Sequence, residues 1–192
     1  MMKTFAPIAF FRDRRGVAAV EFALLAPLLV TTYFGLSELT EGLMASRKVS
    51  AVASTIGDLT AQAASTSPSQ VSDIFQVGQL VMQPFPTANA LLTMRLSSVT
   101  VDANNTPRVD WSAGQGLPAL AKGAVVALPL ASKAKPTDPS TPFIGPGQSV
   151  IMAEAKYQFA SPVAKYLPQS TNLGDTLYLS PRQGTAVACK TC

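Results

Sequence analysis

A single carboxylate, Glu21, lies inside an apolar run that follows a cluster of arginines. The run extends from Val17 to Leu36 and contains no other charged residue. A carboxylate inside a lipid-spanning helix costs about 2.5 kcal/mol or more on insertion scales, so a cationic partner is expected. The chemistry that Glu21 offers is therefore ion pairing. The simpler alternative is that its side chain reaches the polar headgroups from within about one helical turn of the membrane interface.

Two cysteines, Cys189 and Cys192, end the sequence in the string CKTC. Two thiolates do not complete a four-ligand zinc site within one chain. A redox-active pair of this spacing opens a helix that stabilises the thiolate, and no helix is predicted after Cys189. We expect the pair to form a disulfide that fixes the chain end, provided that this end is exported to an oxidising compartment. Pairing with a second chain is the alternative.

The sequence contains no histidine, which removes the commonest general base and every site built on a histidine ligand. Ser132 and Lys135 match the spacing of a serine–lysine nucleophile, but they lie in a proline-rich stretch that is not the structural context such a motif requires. We therefore expect no catalytic activity, no cofactor and no metal site. An anchored envelope enzyme remains the least supported alternative.

Positive charge is concentrated at the N-terminus. The formal net charge is +4, and three of these four charges lie before Gly16. The basic residues there are Lys3, Arg12, Arg14 and Arg15, and Asp13 offsets one of their four charges. The rest of the chain shows no basic stripe of the kind that binds nucleic acid, and we expect neither a nucleic-acid partner nor a small-molecule substrate.

The apolar run from Val17 to Leu36 has the length of a membrane span, because about 20 helical residues cover the roughly 30 Å hydrocarbon core. The arginines Arg12, Arg14 and Arg15 precede it. By the positive-inside rule they place the N-terminus in the cytoplasm and the C-terminal part outside, in a single pass. A cleaved secretory signal is the alternative, but its small-residue cleavage site is missing just after the run.

Helical periodicity continues beyond the predicted span to about residue 64, through apolar residues spaced by three and four. These are Val49, Val52, Ile56, Leu59 and Ala63. Pro27 predicts a modest kink in the first part of the helix. The sequence thus divides into a basic leader (1–16), a transmembrane helix with an amphipathic extension (17–64) and an exported domain (65–192).

The region 65–192 predicts an α+β domain of mostly antiparallel strands packed on a helix. Ser67, Pro68 and Gln70 have the spacing of a helix N-cap with a capping box. Strands are predicted in 91–102 with a bulge at Ser97–Ser98, in 108–111, 124–130, 150–159 and 176–180. Segments 131–148 and 161–175 are predicted as surface loops. Strand 150–159 alternates, with its odd-numbered residues facing one way and Glu154, Lys156 and Gln158 the other.

Residues 13–57 resemble the TadE-like segment of tight-adherence pilus proteins. The resemblance lies in the string RRGVAAVEFALLAPLLVTTYFGLSELTEGLMASRKVSAVAS, in which Glu21 is the fifth residue after Gly16. That spacing also resembles the processing site of type IV prepilin-like proteins. The strings SVIMAEAKYQF and LYLSPRQGTAVACKTC resemble the outer domain of such proteins more loosely.

The resemblance implies a processing site and an assembly residue. A prepilin peptidase would cut after Gly16 and make Val17 the new N-terminus. Glu21 would then pair with the N-terminal amine of a neighbouring subunit, which is largely cationic at neutral pH. The bland alternative for Gly16 is an ordinary glycine at a helix boundary.

The implied function is that of a TadE-like minor pilin or pseudopilin in tight-adherence (Flp-type) pilus assembly. It would be held in the inner membrane by one N-terminal helix, with its C-terminal domain in the periplasm. Its partners would be membrane lipid, the prepilin peptidase and other pilins or assembly subunits. The alternative within the family is an uncleaved, TadG-like anchor whose outer domain makes contacts in the envelope.

Overall fold

The computed structural model describes residues 16–128, 144–160 and 170–192. Within these ranges the helices are α1 (Val17–Ala61) and α2 (Pro68–Met82), and the strands are β1 (Ser65–Thr66), β2 (Leu92–Val101), β3 (Pro107–Gln115), β4 (Ser149–Ala160), β5 (Ser170–Leu179) and β6 (Ala188–Cys189). The predicted α+β class is confirmed. The chain separates into two compact units, Met1–Glu41 and Gly42–Cys192. The predicted segments 1–16, 17–64 and 65–192 stay a prediction.

Helix α1 changes its character along its length. Its first part exposes its apolar side chains, including Leu36, Leu39 and Leu43. Its second part buries one face, formed by Ala45, Val49, Val52, Ala53 and Ile56. The predicted amphipathic extension is thus confirmed for its central residues, whereas Leu59 is 36% exposed. The helix is continuous through Arg47 and Lys48. Pro27, where a kink was predicted, lies inside it.

Helix α2 begins at the predicted capping box. The Ser67 hydroxyl accepts from the backbone N–H of Gln70, and the Gln70 side chain accepts from the backbone N–H of Ser67 at 2.9 Å. Pro68 occupies the first turn, where its missing N–H costs no helical hydrogen bond. The apolar face of α2 lies close to α1: a Cβ atom added at Gly78 would be 3.0 Å from Cγ2 of Ile56. Gly78 therefore allows the two helices to approach.

The main sheet has four antiparallel strands in the order β3-β2-β4-β5. One face of the sheet packs on the helices through Met94, Leu96, Trp111, Ile151, Ala153, Ala155, Tyr157 and Phe159. All five odd-numbered residues predicted to share one face of β4 belong to this core. A second, parallel ladder of two residues per strand joins β1 to β6.

A second apolar cluster lies on the opposite face of the sheet. Its buried members are Val99, Val101, Val109, Leu128, Ile144, Val150 and Met152. The change of phase along β2 follows from this cluster, because Met94 and Leu96 face the helices while Val99 and Val101 face the other way. Strand β2 is therefore buried on both faces in its second half.

The predicted bulge exists, but its extra residue is in β3 rather than at Ser97–Ser98. Ser98 pairs with Trp111 and Val99 pairs with Val109, so Asp110 has no partner across the ladder. Pairing of β2 with β4 runs from Leu92 to Thr100 without interruption. The Asp110 carboxylate accepts from the hydroxyls of Ser98 at 3.2 Å and Thr100 at 2.5 Å, which holds the bulged residue in place.

Three predicted strands differ from the structure. The strand predicted at 108–111 is β3, which runs from Pro107 to Gln115. Of the predicted strand 124–130, the described part contains only a single bridge, between Val125 and Arg108, although Ala124 and Val126 also bond to β3. Residues 129–130 lie outside the described residues. Strand β5 is longer than predicted: residues 170–175 belong to it and not to a loop, because Thr171 to Asp175 pair with β4. Of the predicted loop 131–148, residues 144–148 lie outside any strand, as predicted. The remaining loop residues, 131–143 and 161–169, lie outside the described residues.

The turn between β2 and β3 is organised by Asp102. Its Oδ1 accepts from the backbone N–H groups of Asn104 and Thr106, each at 2.9 Å, and its Oδ2 accepts from Nε of Arg108 at 3.0 Å. The Thr106 backbone bond and then the Arg108 side chain lower the pKa of this carboxyl. Because the pKa of Asp102 is lower in the folded than in the unfolded chain, its ionised carboxylate stabilises the fold at neutral pH. This stabilisation is lost as the pH falls through the folded-state pKa.

Replacement of Ile56 tests whether the second half of α1 belongs to the core. Ile56 is fully buried among α2 and the sheet. We expect Ile56→Ala to lower the free energy of unfolding of the second unit by about 2–5 kcal/mol through lost contacts and a residual cavity. The single tryptophan, Trp111, lies in the same core, so its fluorescence during guanidinium denaturation of the full chain in detergent reports this unit.

The matched control is Ser54→Ala, an exposed position on the same helix. We expect it to change the free energy of unfolding by less than about 0.5 kcal/mol. Equal midpoints for Ile56→Ala and Ser54→Ala would contradict the packing described here.

Candidate functional site

The first part of α1 exposes an apolar surface around the whole helix. An 18-residue window has mean hydropathy 1.8 and none of its residues buried. Leu24 and Phe22, for example, are 74% and 68% exposed. A soluble monomer rarely exposes an apolar surface of this extent, which instead marks a membrane or protein contact. By length and composition, the described part of the chain has one helix suited to crossing a membrane.

Polar groups within this stretch are largely satisfied by the helix itself. The hydroxyl of Thr31 donates to the carbonyl of Pro27 at 2.7 Å, and that of Thr32 donates to the carbonyl of Leu28 at 2.8 Å. These bonds remove the cost of carrying an unsatisfied hydroxyl into hydrocarbon.

The predicted processing site lies at the beginning of α1. Gly16 immediately precedes Val17, the first helical residue, and both are exposed. A Cβ atom added at Gly16 would have no neighbouring atom within 4 Å, so the Gly16–Val17 peptide bond is open to approach within the described part of the chain. The predicted topology residues Arg12, Arg14 and Arg15 lie outside the described residues.

Glu21 lies about one turn into α1, and its side chain is exposed. The carboxylate makes no ion pair within the described ranges, where the three recorded ion pairs all belong to other residues. The helix surface around it consists of Val17, Val20, Phe22, Leu24 and Leu25, each of them exposed. A charge in an apolar exposed surface attracts an external cation strongly once the surface is removed from water.

Residues 16–57 match the family model described as TadE-like protein. The predicted resemblance is thus confirmed for this segment, which is under a quarter of the chain and contains Gly16, Val17 and Glu21. A comparison with curated proteins gave no match, and a comparison with solved structures gave none either. The TadE-like segment and the long apolar helix together fit a membrane protein associated with a Tad pilus.

The cysteines lie outside the TadE-like segment, in the second unit. In the structure Cys189 and Cys192 are joined by a disulfide, with their Cα atoms 5.6 Å apart. The tail that carries them is fixed by β6, which pairs with β1, and by the indole N–H of Trp111, which donates to the carbonyl of Val187 at 2.7 Å. The disulfide therefore closes a small loop at an end that the core already holds.

Sequence reasoning missed a polar pair on the sheet. Glu154 lies on the predicted face of β4, opposite the odd-numbered residues, but its side chain is only 11% exposed. It binds Arg95 through two bonds, Nε to Oε2 at 2.5 Å and Nη2 to Oε1 at 2.8 Å. Arg95 also donates to the carbonyl of Pro118 at 3.0 Å. Opposite charges at the centres of β2 and β4 were a usable signal, although their pairing needed the strand register. The pair ties the 116–120 segment to the sheet.

The described part of the second unit carries no group of three metal-ligating side chains. It has two open cavities, of about 660 and 630 Å³. One is lined by Ser149, Val150, Thr176 and Tyr178, and the other by Lys156, Asn172 and Gly174. Burial raises the pKa of the Tyr178 hydroxyl, with the nearby Glu154 charge adding to it, so this phenol stays neutral at physiological pH. Both cavities adjoin β5.

Proposed function

We propose that this protein is a TadE-like minor pilin or pseudopilin that takes part in tight-adherence (Flp-type) pilus assembly. The observation that carries the proposal is the start of α1. There the exposed Gly16–Val17 bond and Glu21, which makes no ion pair with another described residue, begin an apolar helix inside the segment that matches the TadE-like model. The helix holds the chain in the inner membrane, with the N-terminus in the cytoplasm and the second unit in the periplasm.

Cleavage after Gly16 creates a cationic partner for Glu21, which has none among the described residues. Glycine suits the scissile position because no Cβ atom hinders a peptidase from the backbone. The new amine of Val17 has an ordinary pKa of about 8 and is largely cationic at neutral pH. The amine of one subunit and the Glu21 carboxylate of the next then form an ion pair in an apolar environment.

Such a pair acts chiefly on the register of neighbouring subunits. Removing two charges from water offsets much of their attraction, so the net gain in stability is small. A misplaced neighbour, however, leaves a buried carboxylate without a partner, which costs several kcal/mol. Glu21 thus selects the arrangement in which an amine lies beside it. The same proposal assigns the protein no catalytic role and no cofactor.

Co-expression with a prepilin peptidase tests the proposed processing. We expect the mass of the full chain to fall by residues 1–16 and the new N-terminal residue to be Val17, as measured by intact-mass and N-terminal peptide analysis. Gly16→Val serves as the control, because its side chain should hinder the peptidase and leave the mass unchanged. An unchanged mass for the unsubstituted chain would support the uncleaved, TadG-like anchor instead.

Substitution of Glu21 tests its role in assembly separately from cleavage. We expect Glu21→Gln to be cleaved normally but to lower incorporation into the assembly at least about ten-fold. The ion pair should favour the correct register over others by more than about 1.4 kcal/mol, and a free-energy difference of that size corresponds to a factor of ten. Incorporation is measured by quantitative immunoblotting of sheared pili and of the crosslinked membrane complex, in cells that carry the variant as their sole copy.

The matched control is Glu41→Gln, which removes the same charge from the same helix outside the apolar run. It should assemble like the unsubstituted chain. Normal incorporation of Glu21→Gln would argue that the carboxylate reaches headgroups and does not direct assembly.

A further inference from the structure

Strand β5 forms one edge of the four-stranded sheet, and its outer side is open within the described residues. The strand pairs with β4 along its whole length, from Ser170 to Leu179. Within the described part of the chain, residues 171–179 make no backbone hydrogen bond outside the ladder to β4. An edge of this kind presents a row of unpaired N–H and C=O groups that can pair with another strand.

The register identifies which groups point outward. The N–H of Gln158 donates to the carbonyl of Leu91 at 2.9 Å, so even-numbered residues of β4 direct their backbone groups towards β2. Odd-numbered residues of β4 therefore bond to β5, where their partners are also odd-numbered. The groups that point away from the sheet belong to Asn172, Gly174, Thr176 and Tyr178.

The other edge of the sheet is treated differently. Strand β3 is covered by the segment 123–126, in which Gly123 donates to Val109 at 2.7 Å and Val126 donates to Pro107 at 3.1 Å. Val109 in turn donates to Ala124 at 3.0 Å. Three backbone bonds thus occupy an edge that would otherwise be open. The described part of the chain supplies no such cover to β5.

The sequence of β5 carries little of what usually protects an edge. Proteins block open edges with proline, charged side chains (lysine above all) or a bulge. Strand β5 has no proline and no lysine, and its pairing with β4 is uninterrupted over ten residues. Its one charged residue is Asp175. The Asp175 Oδ1 accepts from the N–H of Thr176 at 2.8 Å, so a side chain occupies one outward donor of the edge.

We propose that the β5 edge is a strand-addition site that binds an extended segment of a different protein, with a basic residue opposite Asp175. Backbone bonds to Asn172, Gly174 and Tyr178 supply the affinity, as in other cases of strand addition. The basic residue pairs with the carboxylate and releases the N–H of Thr176 to the incoming strand. The proposal does not depend on the function proposed above.

A second copy of this chain is a poor occupant of the same edge. Two β5 strands paired antiparallel about Asp175 would place their carboxylates directly opposite, which is destabilising. Centring the pair on Gly174 instead would place each carboxylate against Leu173, where it gains no partner. A heterologous strand with a lysine or arginine avoids both arrangements. The charge of β5 therefore favours a different partner.

The two cavities beside β5 fit the side chains of such a strand. Asn172 and Gly174 line one cavity, and Thr176 and Tyr178 line the other. These four residues lie on one face of the sheet because they alternate with Leu173, Leu177 and Leu179, which pack towards the helices. An added strand projects every second side chain to that same face. The spacing of the cavities thus provides selectivity in addition to the backbone bonds.

A designed peptide probes the edge directly. The peptide has ten residues of alternating Val and Thr with one central Lys. Every second amide, all on the same edge of the extended peptide, carries an N-methyl group, so that this edge cannot pair and the peptide does not self-associate. Binding to the full chain in lipid nanodiscs is measured by fluorescence anisotropy and by amide hydrogen exchange. We expect saturable binding below millimolar concentration and slower exchange at Asn172, Gly174 and Tyr178. In the absence of peptide these three amides should exchange rapidly.

Substitutions separate the backbone bonds from the charge. Asn172→Pro removes one outward N–H without affecting the ladder to β4, and should weaken binding roughly two- to ten-fold relative to Asn172→Ala. A peptide with Glu in place of Lys should bind at least about two-fold more weakly. With Asp175→Lys this preference should reverse. A peptide methylated on both edges should not bind.

Three results would overturn the proposal. If the Lys peptide does not bind at millimolar concentration, strand addition at this edge is excluded. Protection of Asn172, Gly174 and Tyr178 before peptide is added shows that the edge is already covered. A concentration-dependent dimer of the full chain that protects the same amides assigns the edge to a second copy.

Discussion

The structure depends on one helix that meets two different environments. In its first part, α1 exposes apolar side chains on every side, and in its second part it buries one face in a folded core. The hydrophobic effect favours removing both apolar surfaces from water. Other side chains of the chain cover the second part, whereas no described residue covers the first. The uncovered surface calls for lipid or neighbouring helices, and Glu21, the one charged residue of the run Val17–Leu36, lies within that surface.

The second unit is stabilised by two apolar clusters, one on each face of the main sheet. The larger cluster fixes the second half of α1 and α2 against β4, with Gly78 permitting the close approach of the helices. The smaller cluster closes the opposite face near the beginning of β4. Because β2 and β4 lie at the centre of the sheet, each pairs with a neighbouring strand on both sides, whereas β3 and β5 each have one edge that is free of a strand of this sheet.

Local patterns predicted much of this fold. The capping box at Ser67 and Gln70 fixed the start of α2, because its hydrogen bonds involve only neighbouring residues. The alternation of β4 identified its core face, since the odd-numbered residues Ile151 to Phe159 are all apolar or aromatic or small. The beginning of the apolar helix and the resemblance of residues 16–57 were likewise readable from residue types and spacing.

Features that depend on pairing between distant strands were not predictable. The phase change in β2 predicted a bulge in that strand. It arises instead because the second half of β2 also faces the second apolar cluster, and the bulged residue, Asp110, lies in β3. The ion pair of Glu154 could not be predicted because its partner, Arg95, is 59 residues away. The length of β5 was underestimated because its first residues are polar and only the ladder to β4 makes them a strand. The open edge of β5 required the sheet order.

The central claim is that the exposed apolar part of α1 lies in hydrocarbon. A nitroxide label at position 28, on a Leu28→Cys variant in which Cys189 and Cys192 are replaced by Ser, measures this directly in lipid vesicles. The label should collide readily with oxygen, which dissolves in the bilayer, and poorly with a water-soluble nickel chelate, whereas a label at Ser54→Cys should show the reverse. High access of the nickel chelate to position 28 would contradict the claim.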